Sequence, residues 1–139
     1  MKKLKAIVLL TLAGCSLNSN PSVYFVVPDG YQGTVDLILD RTNGVDIVLT
    51  DGRYTLEIPD DGKLRLRSFQ IFETPHHEFA RYRNGMSIPT GVEPRGSGEV
   101  ASNLIGFLDT GMHEGTKYPQ RTIVYVVGTQ SEMERIRDR

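Results

Sequence analysis

Histidine and carboxylate residues that could ligate a metal occur at two places in the chain. His76-His77-Glu78 forms one group and His113-Glu114 the other, and together they contain all three histidines. Two histidines and a glutamate with an open coordination position would suit a catalytic zinc. Adjacent strand residues point to opposite faces, so only one of His76 and His77 could join a shared site, and no HExxH spacing occurs. Surface histidines beside a turn are the favoured interpretation, and His76, His77 and His113 stay weak metal candidates.

Residues suited to ligand binding lie in segments that look like loops. Residues 89–98 are rich in glycine and proline, and Arg95 within them could offer a guanidinium and neighbouring amides to an anion. Ser97 lacks the G-x-S-x-G elbow of a nucleophile. Tyr31 and Tyr118 fall in turn or loop surroundings, where an aromatic ring could stack on a ligand. We therefore predict possible ligand binding at Tyr31, Tyr118 and Arg95, and we assign no catalytic residue.

The single cysteine follows a short hydrophobic segment near the start of the chain. Residues 1–5 are basic and Ala6 to Ala13 are apolar, which is typical of a secretory signal and too short for the roughly 20 residues of a membrane-spanning helix. Leu12-Ala13-Gly14-Cys15 resembles the lipobox of bacterial lipoproteins. That resemblance implies diacylglyceryl attachment to Cys15 and removal of residues 1–14 as a signal peptide. The alternatives are an ordinary cleaved signal with a chance cysteine, or a buried N-terminal strand.

The lipoprotein resemblance also predicts how the chain is held. Acyl chains such as palmitate on Cys15 contribute about 0.8 kcal/mol per buried methylene, so several chains make an effectively permanent anchor. Residues 15–22 are polar and aperiodic, which predicts a lipidated flexible tether. In Gram-negative members of the family, an aspartate after the lipidated cysteine retains the protein at the inner membrane. Ser16 therefore implies the periplasmic face of the outer membrane, if the host has two membranes.

Composition predicts a single domain after the tether. Residues 23–139 suffice for one hydrophobic core. Without Lys2, Lys3 and Lys5 the chain has 13 basic and 17 acidic residues, and no basic block. Nucleic acid is therefore not an expected partner, and no cofactor motif is present. With Cys15 lipidated no disulfide can form, so the domain must be stable without one.

Short runs of β-branched and aromatic residues alternate with turn signals along the domain. Asn43-Gly44, Asp51-Gly52 and Asn84-Gly85 each predict a hairpin, the first of them joining Thr34–Leu39 to Val45–Thr50. Further expected strands are Val23–Val27, Arg53–Ile58, Lys63–Arg67 with Ser68–Phe72 extending or bending it, His76–Arg83, Met86–Ile88 and a central Thr122–Val127. Val100–Leu108 is ambiguous and Thr110–Gln120 is expected to be irregular. Thr129 to Glu132 fits the capping box of a short terminal helix. The pattern predicts a mainly β fold, a single antiparallel β-sandwich with a C-terminal helix.

Three stretches carry a second resemblance. Val27-Pro28-Asp29-Gly30-Tyr31-Gln32-Gly33, residues 51–62, and Tyr125-Val126-Val127-Gly128-Thr129 resemble a family of small bacterial secreted or lipid-anchored proteins without characterised function. That family has a V-P-x-G-Y-x-G opening and a G-x-Y-x-x-x-I-P hairpin. Residues 51–62 also resemble the repeat of transthyretin-like and carboxypeptidase-regulatory-like domains, which implies a transthyretin- or immunoglobulin-like sandwich acting as a structural or binding module. Neither resemblance carries over a catalytic residue.

These observations lead to one functional hypothesis with two alternatives. The leading hypothesis is a membrane-anchored envelope lipoprotein whose β-sandwich is non-catalytic and binds or shields another component. Its partners would be membrane lipid, through acylated Cys15, and another envelope protein. An immunity- or inhibitor-type lipoprotein is the first alternative, and a metal-dependent envelope enzyme is the second.

Overall fold

Short strands are the main secondary structure of the domain. In the computed structural model, residues 19–90 and 105–137 are described, and within them the chain forms nine strands, one 3-10 helix and one α-helix. The strands are β1 (Ser22–Val27), β2 (Gly33–Leu39), β3 (Leu49–Thr50), β4 (Arg53–Glu57), β5 (Lys63–Leu66), β6 (His77–Tyr82), β7 (Ser87–Ile88), β8 (Gly106–His113) and β9 (Thr122–Gly128). The 3-10 helix covers Gln70–Glu73, and α1 covers Gln130–Arg137.

The strands form two sheets of mixed direction. The five-stranded sheet has the order β3-β4-β1-β6-β7, and the four-stranded sheet has the order β5-β2-β9-β8. The mainly β sandwich with a short C-terminal helix is confirmed. The expectation of purely antiparallel pairing is wrong, because β1 pairs in parallel with β4 and β6, and β2 with β5. The chain crosses to the other sheet between these strands, so β1, β4 and β6 share one direction in the first sheet, as do β2 and β5 in the second.

The core lies between the two sheets and is filled by their inward-facing alternate residues. The aromatic centre joins both layers, because the ring of Phe25 on β1 lies 4.6 Å from that of Phe107 and 4.8 Å from that of Tyr125. Other fully buried members are Val23, Val27, Val35, Leu37, Ile58 and Leu66. Burial of Leu56, Ile58 and Leu66 confirms the alternation predicted for β4 and β5. This packing stabilises the domain without any cysteine in the described core.

The parallel pairing gives the sandwich two distinct ends. The start of β1 at Ser22 lies beside Arg53 of β4 and His77 of β6, and we call this the tether end. The opposite end, which we call the far end, carries the turns that follow β1, β4 and β6. There the Arg83 amide donates to the carbonyl of Val27 at 2.9 Å. Segments between β2 and β3, and between β5 and β6, lie at the tether end, because β2 and β5 run opposite to β1.

The predicted hairpins have different outcomes. Asp51-Gly52 joins β3 to β4, with φ angles of 51° and 74°, and Asn84-Gly85 lies between β6 and β7, so both hairpins are confirmed. The Asn43-Gly44 hairpin is wrong, because Val45 bridges Leu66 of β5 in parallel. Both edges of β2 are already paired, with β5 and β9, which leaves no room for a partner strand from Val45 to Thr50.

Several boundaries also differ from expectation. Ser68–Phe72 does not extend a strand but leads into the 3-10 helix, and Thr110–His113 belongs to β8 rather than to an irregular stretch. A bulge between Asp109 and Met112 interrupts the register of β8. The central position of β9 is confirmed, as is the capping box, in which the Thr129 amide donates to Glu132 Oε2 at 2.7 Å.

Candidate functional site

A hydrogen-bonded network links the two sheets below the aromatic core. The Tyr125 hydroxyl donates to Glu78 Oε1 at 2.8 Å, and His76 Nε2 lies 3.0 Å from the same oxygen. His76 Nδ1 lies 2.7 Å from the carbonyl oxygen of Thr74. A carbonyl only accepts, so Nδ1 carries a proton, and the carboxylate then requires a proton on Nε2 as well. We call His76, Glu78 and Tyr125 the Glu78 network, and its geometry favours a histidine protonated on both nitrogens.

The electrostatics of the network agree with this assignment. Burial by itself lowers the pKa of His76, but the Thr74 carbonyl, the Glu78 carboxylate and the charge of Asp109 outweigh burial, so the pKa is raised. Burial and the Glu78 charge raise the pKa of Tyr125. For Asp109, desolvation is the largest cause of a raised pKa, and the Glu78 charge adds to it. Both ring nitrogens of His76 and the Tyr125 hydroxyl have partners, which is typical of a network that holds two sheets together.

The histidines do not converge on one site. His77 is exposed on β6, whereas His76 is half-buried, so the two neighbours occupy different surroundings as strand alternation predicts. His113 Nε2 lies 3.2 Å from Thr110 Oγ1. The Thr110 hydroxyl donates a hydrogen bond to the Val124 carbonyl oxygen at 2.7 Å. Within residues 19–90 and 105–137, no three His, Cys, Asp or Glu side chains are grouped so that they could hold a metal ion.

A second polar cluster lies on the outer face of the four-stranded sheet, around Asp36 of β2. Val35 and Leu37 point into the core, so Asp36 between them faces outward. Burial raises the pKa of Tyr31 and that of Tyr118, and in both cases the Asp36 charge raises it further. Both tyrosines selected from the sequence therefore lie within electrostatic range of one carboxylate. We call Tyr31, Asp36 and Tyr118 the Asp36 cluster.

The two tyrosines of this cluster are held differently. The Tyr31 hydroxyl donates to the Thr34 carbonyl oxygen and lies against Gly62, so its polar atom is already engaged. The Tyr118 ring lies 5.1 Å from the His113 ring, and Lys117 Nζ lies 5.6 Å from its centroid. Among the hydrogen bonds of the described residues, none uses the Tyr118 hydroxyl. Tyr118 thus combines a supported ring with a hydroxyl that forms no hydrogen bond to another described residue.

Asp36 is the least satisfied carboxylate of the described residues. Its Oδ1 atom is buried and has no hydrogen-bond partner among them. Burial is the largest cause of its raised pKa, and Lys63, the Thr34 hydroxyl, His113 and Lys117 oppose it. A carboxylate held in a desolvated position with spare acceptor capacity is a candidate binding group. A donor from a ligand, such as an ammonium, amide or hydroxyl group, would satisfy it.

A groove of about 380 Å³ opens at the tether end. Pro21, Ile47, Tyr54 and Ile71 supply apolar lining, while Asp46, Ser68, Gln70 and Thr74 supply polar groups. The carboxylate of Asp46 is paired with Arg67 at 3.0 Å. A smaller pocket of about 240 Å³ lies between α1 and the ends of β2 and β9. Neither pocket includes Tyr31 or Tyr118.

Sequence reasoning found some of these residues and missed others. Arg95 and Cys15 lie outside the described residues, as do the tether up to residue 18 and residues 91–104. Asp36 was missed because a polar residue at an alternate strand position is typical of a solvated face. Tyr125 was predicted only as part of a strand. Its link to Glu78 joins residues 47 positions apart, and no local pattern reports such a contact.

Comparisons with known proteins leave the family open. No family model matches the chain, and no curated protein matches it. Among solved structures, a candidate lipoprotein from Bacillus anthracis shares 10% sequence identity over 81% of this chain and 73% of that chain, with a TM-score of 0.46. A likeness at this level supports neither a family nor a function. None of the described helices is long and apolar enough to cross a membrane.

Proposed function

We propose that this chain is a lipid-anchored protein of the cell envelope. The observation that carries the proposal is the basic leader, short apolar run and Leu12-Ala13-Gly14-Cys15 at its start. The position of the domain is compatible with it, because β1 begins at Ser22, seven residues after the cysteine. Residues 1–14 would be removed, and acylated Cys15 would hold the domain on the membrane. In a host with two membranes, Ser16 favours the periplasmic face of the outer membrane.

We further propose that the domain binds another envelope component without catalysis, through the Asp36 cluster. In the Glu78 network both ring nitrogens of His76 face acceptors, so this histidine has no free nitrogen to act as a base. Within the described residues, Asp36 keeps an oxygen without a hydrogen-bond partner, and the Tyr118 hydroxyl, which lies within electrostatic range of that carboxylate, makes no side-chain hydrogen bond. A polar ligand that donates to Asp36 and stacks on Tyr118 would meet both features. The support is chemical complementarity at the partly buried Asp36 cluster on the outer face of the four-stranded sheet.

The anchor is tested by replacing Cys15 with serine. Acyl transfer requires the thiol, so Cys15→Ser should abolish incorporation of a palmitate analogue and move the protein from the detergent phase to the aqueous phase. Ser16→Ala is the matched control, because it changes the neighbouring residue and keeps the thiol. Mass spectrometry of the wild-type protein should find an acylated N-terminal cysteine. Native protein with Met1 and a free thiol would contradict the proposal.

The non-catalytic part of the proposal has its own measurement. Elemental analysis of the purified native protein should find no metal in stoichiometric amount, since a metal-dependent enzyme would retain its ion. A zinc content near one per chain that His76→Gln, His77→Gln or His113→Gln removes would support the enzyme instead. Variants at all three positions are needed, because the three histidines do not converge on one site in the structure.

A further inference from the structure

Two consecutive apolar side chains are exposed at the tether end. Val48 is 69% exposed and Leu49 is 51% exposed, and we call this pair the β3 patch. The turn that follows β3 lies against the start of β1, because the Ser22 amide donates to the Gly52 carbonyl at 3.3 Å. Ile47, which precedes the patch, lines the same groove as Pro21. The patch is therefore next to the point where the tether enters the domain.

The tether limits how far this surface can be from the lipid anchor. Ser22 lies seven residue steps after Cys15, and a fully extended chain spans at most about 3.6 Å per step, or about 25 Å in total. A relaxed chain of this length reaches only about 15 Å. The polar interfacial layers add about 5 to 8 Å on each side of the bilayer core. The tether thus keeps the tether end close to the membrane, at a high effective concentration relative to the lipid headgroups, so that even weak contacts with them form often.

Charge favours the same orientation. Two carboxylates lie two positions from the patch in sequence, namely Asp46, which pairs with Arg67 at 3.0 Å, and the exposed Asp51. The far end carries three exposed acidic residues in its turns, Asp29, Asp60 and Asp61, of which Asp60 pairs with Arg83 at 2.9 Å. An anionic headgroup layer would repel that end and leave the tether end facing the lipid. Apolar exposure, tether length and charge all select the same end of the sandwich.

We propose that the β3 patch inserts into the headgroup layer of the membrane that holds Cys15. The inference rests on the proposed lipid anchor and adds an orientation to it. Val48 and Leu49 dip into the lipid, the strands stand away from the membrane, and the far end faces outward. Lipid contact also shields β3, the edge strand of the five-stranded sheet, whose free backbone groups would otherwise be open to another strand.

The chain contains no tryptophan, so a single introduced indole reports on one position. Val48→Trp places the probe in the patch, and Leu49→Trp is a second probe should the first variant fold poorly. Met86→Trp is the matched control, because Met86 is 63% exposed but lies in the far-end turn between β6 and β7. The acylated mature protein, which begins at Cys15 and is confirmed by mass, is reconstituted into vesicles of phosphatidylcholine and phosphatidylglycerol with or without brominated acyl chains.

Insertion predicts a blue-shifted emission at position 48 and a bromolipid-dependent loss of emission several-fold larger than at position 86. Equal quenching at both positions, or none at either, would overturn the orientation. A blue shift that grows with protein density and ignores bromine would overturn it too, because it would show a second copy covering β3. If the mass shows no acylation, the proposed anchor fails separately. Coupling Cys15, the single thiol, to a maleimide-headgroup lipid then tests the patch by the same fluorescence readings.

Discussion

His76 provides the most direct test of the Glu78 network, because its geometry ties stability to pH. Both ring nitrogens lie within hydrogen-bond distance of acceptors, at 2.7 Å from the Thr74 carbonyl and 3.0 Å from the Glu78 carboxylate. Only the imidazolium satisfies both acceptors at once. The ring is 14% exposed and packs edge-on against Phe72 at 5.6 Å, so water replaces these contacts poorly.

The direction of the pH dependence follows from the raised pKa of His76. A raised pKa means that the folded protein holds the proton more tightly than the unfolded chain does. The stability contribution is therefore complete below the unfolded pKa, about 6.5, and is lost as pH rises through the folded value. A hydrogen bond to a charged group stabilises by about 1.5 to 3 kcal/mol, and a neutral one by about 0.5 to 1.5 kcal/mol. The expected loss on deprotonation is their difference, about 1 kcal/mol.

The assay is urea unfolding of Cys15→Ser protein, which removes the need for detergent, at about pH 5.5 and about pH 9. With a slope near 2 kcal/mol per molar urea, a loss of about 1 kcal/mol lowers the midpoint by about 0.5 M. His76→Gln has no imidazolium, so this part of the pH dependence should vanish, while the exposed neighbour in His77→Gln should preserve it. A His76→Gln protein that loses as much stability between the two pH values as its parent would refute the assignment.

Two further predictions concern the Asp36 cluster and its support. Asp36→Asn removes a desolvated charge, so it should stabilise the fold by about 1 kcal/mol at neutral pH and by less near pH 3, as read from urea midpoints. A destabilised Asp36→Asn protein at neutral pH would show that Lys63 and its neighbours outweigh burial. Gly62→Ala and Gly52→Ala share a φ of +74°, but only at Gly62 does a Cβ meet Tyr31 and Thr34. Gly52→Ala should thus lower the free energy of unfolding by about 1 to 2 kcal/mol, and Gly62→Ala should lower it clearly more. Equal losses would mean that the Tyr31 side chain moves aside at no cost in stability.

Local chemistry made part of the fold predictable. Asp51-Gly52 and Asn84-Gly85 provide residues that tolerate positive φ, and in each case the strands they join are neighbours in space. Asn43-Gly44 has the same composition, but the Asp40 carboxylate accepts from the Thr42 and Asn43 amides and holds a turn that leads elsewhere. The Gly44 backbone then packs against that of Leu66. Turn residues predict a reversal of the chain, but not which strand will be its neighbour.

Local sequence patterns could not predict the parallel strand pairing, for a related reason. β1 pairs with β4 and β6 because the intervening chain passes through the other sheet. Alternation of apolar and polar residues within a strand does not indicate which sheet the intervening chain joins. The same limit applies to the polar residues. Glu78 was noticed beside two histidines, whereas its contact with Tyr125 arises from packing of one sheet on the other. The surroundings of Asp36 are likewise set by long-range packing, since its electrostatic neighbours include His113 and Lys117.

The two polar clusters differ in a way that separates structural from binding roles. In the Glu78 network every donor has an acceptor, so a ligand would have to break existing bonds before it could form new ones. In the Asp36 cluster an acceptor atom is buried and has no partner among the described residues, so a ligand donor that displaces the groups covering it gains a hydrogen bond and breaks none made by that atom. The cost of keeping Asp36 charged is already included in the stability of the unbound fold. Binding at Asp36 should therefore raise the unfolding midpoint of the wild-type protein, and the same ligand should leave the midpoint of Asp36→Asn nearly unchanged.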